Sequence, residues 1–108
     1  MDTLNLKEIA QRSKSIRRQY HNLEKQYHGS EWTVEEDALA FLTDAALVGR
    51  LTMSQQGRWP KADENNTELT HKLGECIWWI TVLAQRMDID IEEAVEKFLN
   101  KTEGMLEK

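Results

Sequence analysis

The chain has 108 residues, a formal charge of −5, and 40% hydrophobic against 31% charged residues, with a mean hydropathy of −0.67. That is sequence for one domain, with apolar material for one core and little to spare. It excludes a membrane span, because no apolar run approaches the roughly 18 residues one needs, and it argues against the broad basic face that DNA or RNA requires. One proline and five glycines leave few breaks, which favours long helices over a many-turned β fold. The single cysteine, Cys76, has no internal partner for a disulfide, and the start from Met1 to Asn5 lacks the basic and apolar regions of a secretory signal. Both point to a cytoplasmic protein.

The first predicted helix covers 4–27. Leu6, Ile9, Ile16, Tyr20, Leu23 and Tyr27 recur at helical spacing between charged positions, so they mark its core face. The pattern lapses at Gln11-Arg12-Ser13, which predicts a break or fraying there. Gly29-Ser30 supplies the stop.

Thr33 and Glu36 have the spacing of a capping box, hydroxyl to the N3 amide and carboxylate back to the cap amide, and Trp32 precedes the cap as a hydrophobic staple. From Ala38 to Val48 only Thr43 and Asp44 are polar. A helix apolar nearly all round is expected to be buried nearly all round. It should run to about Met53, before a polar loop from Ser54 to Asp63. A third helix is expected over 64–87, with Leu69, Leu73, Cys76, Ile77, Ile80, Leu83, Ala84 and Met87 in one stripe. After the connector Asp88-Ile89-Asp90, Asp90 and Glu93 repeat the cap-plus-N3 pattern. Ile91, Ala94, Val95, Phe98, Leu99 and Met105 or Leu106 give the fourth helix its apolar face. The pattern predicts a single all-α domain over 1–108, a four-helix bundle completed by homo-oligomerisation.

Chemistry-bearing residues are few. Asp44 interrupts an apolar run, and a buried carboxylate must be paired, metal-bound or protonated; its ordinary role is an ion pair with a cation from a neighbouring helix. On the third helix Glu68, His71, Lys72, Glu75, Trp78 and Trp79 share one broad side. Their ordinary role is a surface with Glu68–Lys72 and Lys72–Glu75 ion pairs, yet two adjacent tryptophans demand cover, which a second subunit would supply. His21, His28 and His71 lack metal-ligand spacing, so zinc is not expected. Cys76 lies in the apolar stripe as a small core residue, and no glycine-rich phosphate loop exists.

Two stretches, Trp32-Thr33-Val34-Glu35-Glu36-Asp37-Ala38-Leu39-Ala40-Phe41-Leu42-Thr43-Asp44 and Leu73-Gly74-Glu75-Cys76-Ile77-Trp78, followed by the turn between Ala84 and Glu93, carry a resemblance. The chain from Trp32 to about Glu107 resembles the MazG-like all-α nucleoside triphosphate pyrophosphohydrolases. The resemblance divides the chain into an N-terminal helix over 1–30 and a family-like core over 33–106. It implies Mg²⁺ held by acids of two helices, in motifs of the form E-E-x-x-E and E-x-x-D, whose spacing lets two pairs of carboxylates face one hard cation. It also implies hydrolysis of a nucleoside triphosphate to monophosphate and pyrophosphate, and assembly as a dimer or tetramer.

Carried over residue by residue, the resemblance makes Asp44 and Glu75 metal ligands. Thr43 is not an acid, Leu47 stands at the second acid of the first motif, and Lys72 replaces a glutamate of the second. Asp37 and Glu68 are candidate substitutes, and Lys72 with Trp78, or neighbouring Trp59 and Trp79, are candidate nucleotide contacts. With two of four ligands lost, weak or absent hydrolysis is expected, with the Lys72 ammonium taking the place of the metal between Asp44 and Glu75. The alternative is a catalytically silent nucleotide-binding protein or an oligomeric helical interaction protein.

Overall fold

A computed structural model of the chain describes residues 3–58 and 66–107. Trp59 to Asp63 of the expected loop, and the expected third-helix start at Glu64, lie outside the described residues. The described residues form four α-helices and no strand: α1 (Leu6–His28), α2 (Val34–Gln55), α3 (Thr67–Arg86) and α4 (Ile91–Leu106). Contacts divide the chain into two compact units, one of residues 1–31 and 81–108, the other of residues 32–80. The chain of α3 therefore serves both, its last turns belonging to the first unit.

In the first unit, α1 starts where the Asn5 side chain accepts from the Glu8 amide at 2.8 Å and stops at Gly29, whose φ of 81° is a left-handed conformation natural to glycine. It passes unbroken through Gln11-Arg12-Ser13, contrary to the expected lapse: Ser13 is buried there, so a small polar residue holds the inner face where an apolar one was sought. α1 packs on α4, and Gln85 Nε2 donates to the Ala10 carbonyl at 2.6 Å. α3 ends in a Schellman turn. The Ile89 amide donates to the Ala84 carbonyl at 2.8 Å and the Asp88 amide to Gln85 at 3.2 Å, with Asp88 at φ 56°, where aspartate is among the few residues besides glycine that are tolerated. Asp90 then caps α4 by accepting from the Glu93 amide at 3.0 Å, as its spacing predicts.

In the second unit, both halves of the Thr33–Glu36 capping box form, at 2.9 and 3.1 Å. Trp32 lies beside Leu39 and Ala40 along a shallow cleft of about 260 Å³. Asp37 is fully buried.

Helix identity and capping follow the sequence, but the expected core faces do not. On α1 the stripe of Ile16, Tyr20, Leu23 and Tyr27 is exposed, while Arg17 and Ser13 are buried. On α2, expected to be enclosed, Leu39 and Leu42 are 63% and 64% exposed. Leu73, Ile77 and Ile80 of α3 and Val95, Phe98 and Leu99 of α4 are exposed as well, and the buried apolar side chains among the described residues are Trp79, Val82 and Ala84. Periodicity tells which residues share a face, not whether this chain covers it. Arg17 can lie inside because Glu24 neutralises it at 2.8 Å.

Candidate functional site

Asp44 lies midway along α2, two residues and about 200° round the helix from exposed Leu42. On α3, Lys72, Glu75 and Trp79 stand at i, i+3 and i+7, one face of the helix. This spacing brings the three side chains to one carboxylate. Lys72 Nζ donates to Asp44 Oδ1 at 3.0 Å and to Glu75 Oε1 at 2.8 Å, and Trp79 Nε1 donates to Asp44 Oδ2 at 2.8 Å. The ammonium thus stands between the two carboxylates.

The cluster is half-buried, with side-chain exposures of 13% for Asp44, 23% for Lys72 and 28% for Glu75. The hydrogen bond to Glu75, then that to Asp44, hold the lysine pKa well above its ordinary range. Burial pushes the neighbouring Cys76 thiol up, and the negative charge of Asp44 and Glu75 adds to the rise. Both effects disfavour the thiolate, the form in which cysteine acts as a nucleophile. With two carboxylates and one ammonium, the cluster carries one net negative charge.

The remaining sequence-predicted positions do not complete a cation cage. Leu47 is 41% exposed and supplies no lone pair. Glu68 is exposed in the first turn of α3, and Lys72 bonds to Asp44 and Glu75 instead of to it. Asp37 is buried seven residues before Asp44. Among the described residues, no three His, Cys, Asp or Glu side chains gather into a group that could hold a metal ion. Mg²⁺ needs several negatively charged oxygens to offset its loss of water. Here both oxygens of Asp44 already accept from donors, and one of the donors is itself a cation. The residues present do not fit the ion.

Trp78, expected as a nucleotide contact, is half-buried and meets Trp79 edge to face, with ring centroids 4.7 Å apart. It buttresses the indole that holds Asp44. Trp79 is the residue the sequence reading undervalued. Its spacing of i+7 from Lys72 and i+4 from Glu75 was the available signal for a donor on this face. A cleft of about 820 Å³ in the first unit runs between Leu6, Ala10, Ile89 and the start of α4, and none of the sequence-predicted site residues lines it. No protein-family model, curated protein or solved structure matches the chain.

Proposed function

We propose that this chain is a MazG-like helical protein, cytoplasmic and homo-oligomeric, in which metal-dependent pyrophosphohydrolysis has been lost and the scaffold serves protein–protein contact. The observation that carries the reading is the Lys72 ammonium bonded to both Asp44 and Glu75. It occupies the position that a hard cation needs, satisfies both carboxylates, and adds no site at which water is activated. A triphosphate gains nothing from the cluster either, because its net charge is negative and Lys72 is already engaged; nucleotide binding through Lys72 and Trp78 is therefore the weaker alternative.

Oligomerisation is supported by the apolar side chains left exposed on every helix. Covering a leucine that is two-thirds exposed contributes on the order of 1–2 kcal/mol, so a few such residues suffice for association.

The test is a titration of the purified chain with Mg²⁺ and Mn²⁺ over a panel of nucleoside triphosphates, reading pyrophosphate release beside an Asp44→Ala control. No release above the control is expected with any pair. Metal-dependent release that disappears in Asp44→Ala would overturn the reading, because it requires a working cage around Asp44. A parallel metal-free titration, followed by tryptophan fluorescence, is expected to give no saturable nucleotide signal.

A further inference from the structure

We infer that α2 pairs, antiparallel, with α2 of a second copy of this chain, through the face opposite Asp44. The inference rests on the homo-oligomeric part of the reading above and is independent of its metal argument, since Asp44 and Lys72 lie on the other side of the helix.

Leu39 and Leu42 are the most exposed large apolar residues of α2, and Ala46 and Met53 continue the same line at i+7 and i+14 from Leu39. That is a seam of the spacing found where two helices pack along their length. Charge is distributed unevenly along it. Glu35 is exposed at the N-terminal end and Arg50 at the C-terminal end, both close to the seam on a helical wheel.

A twofold axis between Leu42 and Thr43 makes this face complementary to itself. Each Glu35 then meets Arg50 of the other copy, and each Leu39 meets Ala46, a large residue against a small one. Trp32, 38% exposed, meets Met53, 44% exposed, an aromatic ring against a thioether. The cleft lined by Trp32, Glu36, Leu39, Ala40 and Thr43 comes to face the stretch around Ala46 and Gly49. A Cβ placed on Gly49 would meet nothing within 4 Å, which leaves room there for a neighbouring helix. A parallel pairing would set Glu35 against Glu35 and Arg50 against Arg50. Charge and size complementarity within one helix face therefore select a second copy, in one direction, as the occupant.

Sedimentation equilibrium of the full chain tests this with variants at exposed positions, each checked for helicity by circular dichroism. The wild-type chain is expected to form dimers or dimer-based assemblies. Glu35→Arg and Arg50→Glu each set like charges opposite one another twice, so each is expected to weaken the pairing about tenfold. An equimolar mixture of these two variants restores both ion pairs in a heterodimer, and the Glu35→Arg/Arg50→Glu chain restores them in a homodimer; an unfolded variant can do neither. Leu39→Asp is expected to dissociate the pair.

A chain that stays monomeric at every concentration overturns the oligomeric reading and this inference together. An oligomer indifferent to Leu39→Asp overturns only the inference, because association then uses another face. Loss of pairing with Leu39→Asp, but no effect of the charge variants or no rescue on mixing, keeps the face and overturns the antiparallel register.

Discussion

Two buried or half-buried cations organise the two units, and they are built differently. In the first unit, Arg17 is paired within its own helix. Its guanidinium reaches two turns along α1 and grips both oxygens of Glu24, at 2.8 and 3.3 Å, in the forked geometry that suits arginine to buried carboxylates. In the second unit, Lys72 is a point charge that serves carboxylates on two helices, Asp44 on α2 and Glu75 on α3. The first arrangement joins a cation and an anion of the same helix and stiffens it. The second leaves a net negative charge and ties one helix to another. A local pair protects a side chain that the helix has turned inward; a pair across helices defines where two helices meet.

The contrast is sharpest in how each unit should respond to loss of its cation. Arg17→Met removes the guanidinium from Glu24, whose side chain is 12% exposed, and is expected to cost about 2–4 kcal/mol, at the lower side of what breaking a buried pair costs. Urea denaturation followed by circular dichroism measures it; a loss below about 1 kcal/mol would put the pair in the surface class. Lys72→Met leaves two carboxylates facing each other but nearer to solvent, and about 1–3 kcal/mol is expected from the same measurement. The raised lysine pKa has a definite sign in this experiment. Stability gained from the ammonium is fully present below the unfolded lysine value and is lost only as pH rises through the folded one, so the Lys72→Met difference should stay flat from neutrality into mildly alkaline pH.

The smallest expected effect falls on His21, in the first unit. Burial, then the Arg17 charge, lower its pKa, and its Nε2 is buried without a hydrogen-bond partner. A base whose folded pKa is depressed contributes stability above its unfolded value, near 6.5, and loses it as pH falls from there toward the folded value. His21→Asn should therefore flatten the decline in stability below about pH 6.5, by a fraction of a kcal/mol, in denaturation curves collected across that range. An unchanged slope would mean that the imidazole is solvated in both states.

What could be read from the sequence divides along the same line between local and long-range physics. Thr33 with Glu36 and Asp90 with Glu93 satisfy amides three residues away, so their caps were legible from spacing alone. The meeting of Lys72 with Asp44 and Glu75 was expected through the resemblance, which sets Lys72 at a lost ligand position beside the two acids; the apolar run around Asp44 by itself asks only for a cation from a neighbouring helix. The exposed faces were not legible. Ile16, Tyr20, Leu23 and Tyr27 form as clean a stripe as any buried helix face, and nothing in their spacing distinguishes a core from an interface. Trp79 was legible in position only: its spacing of i+7 from Lys72 and i+4 from Glu75 sets it on their side of α3, while spacing does not say that its indole N–H meets Asp44.

The Lys72 ammonium has one more consequence, for covalent chemistry. An amine attacks acyl donors and carbonyls through its lone pair, and protonation removes that pair. Hydrogen bonds to two carboxylates favour the protonated amine, so Lys72, at the centre of the contact that ties α2 to α3, is expected to react more slowly with acyl donors and carbonyls than a lysine without such partners.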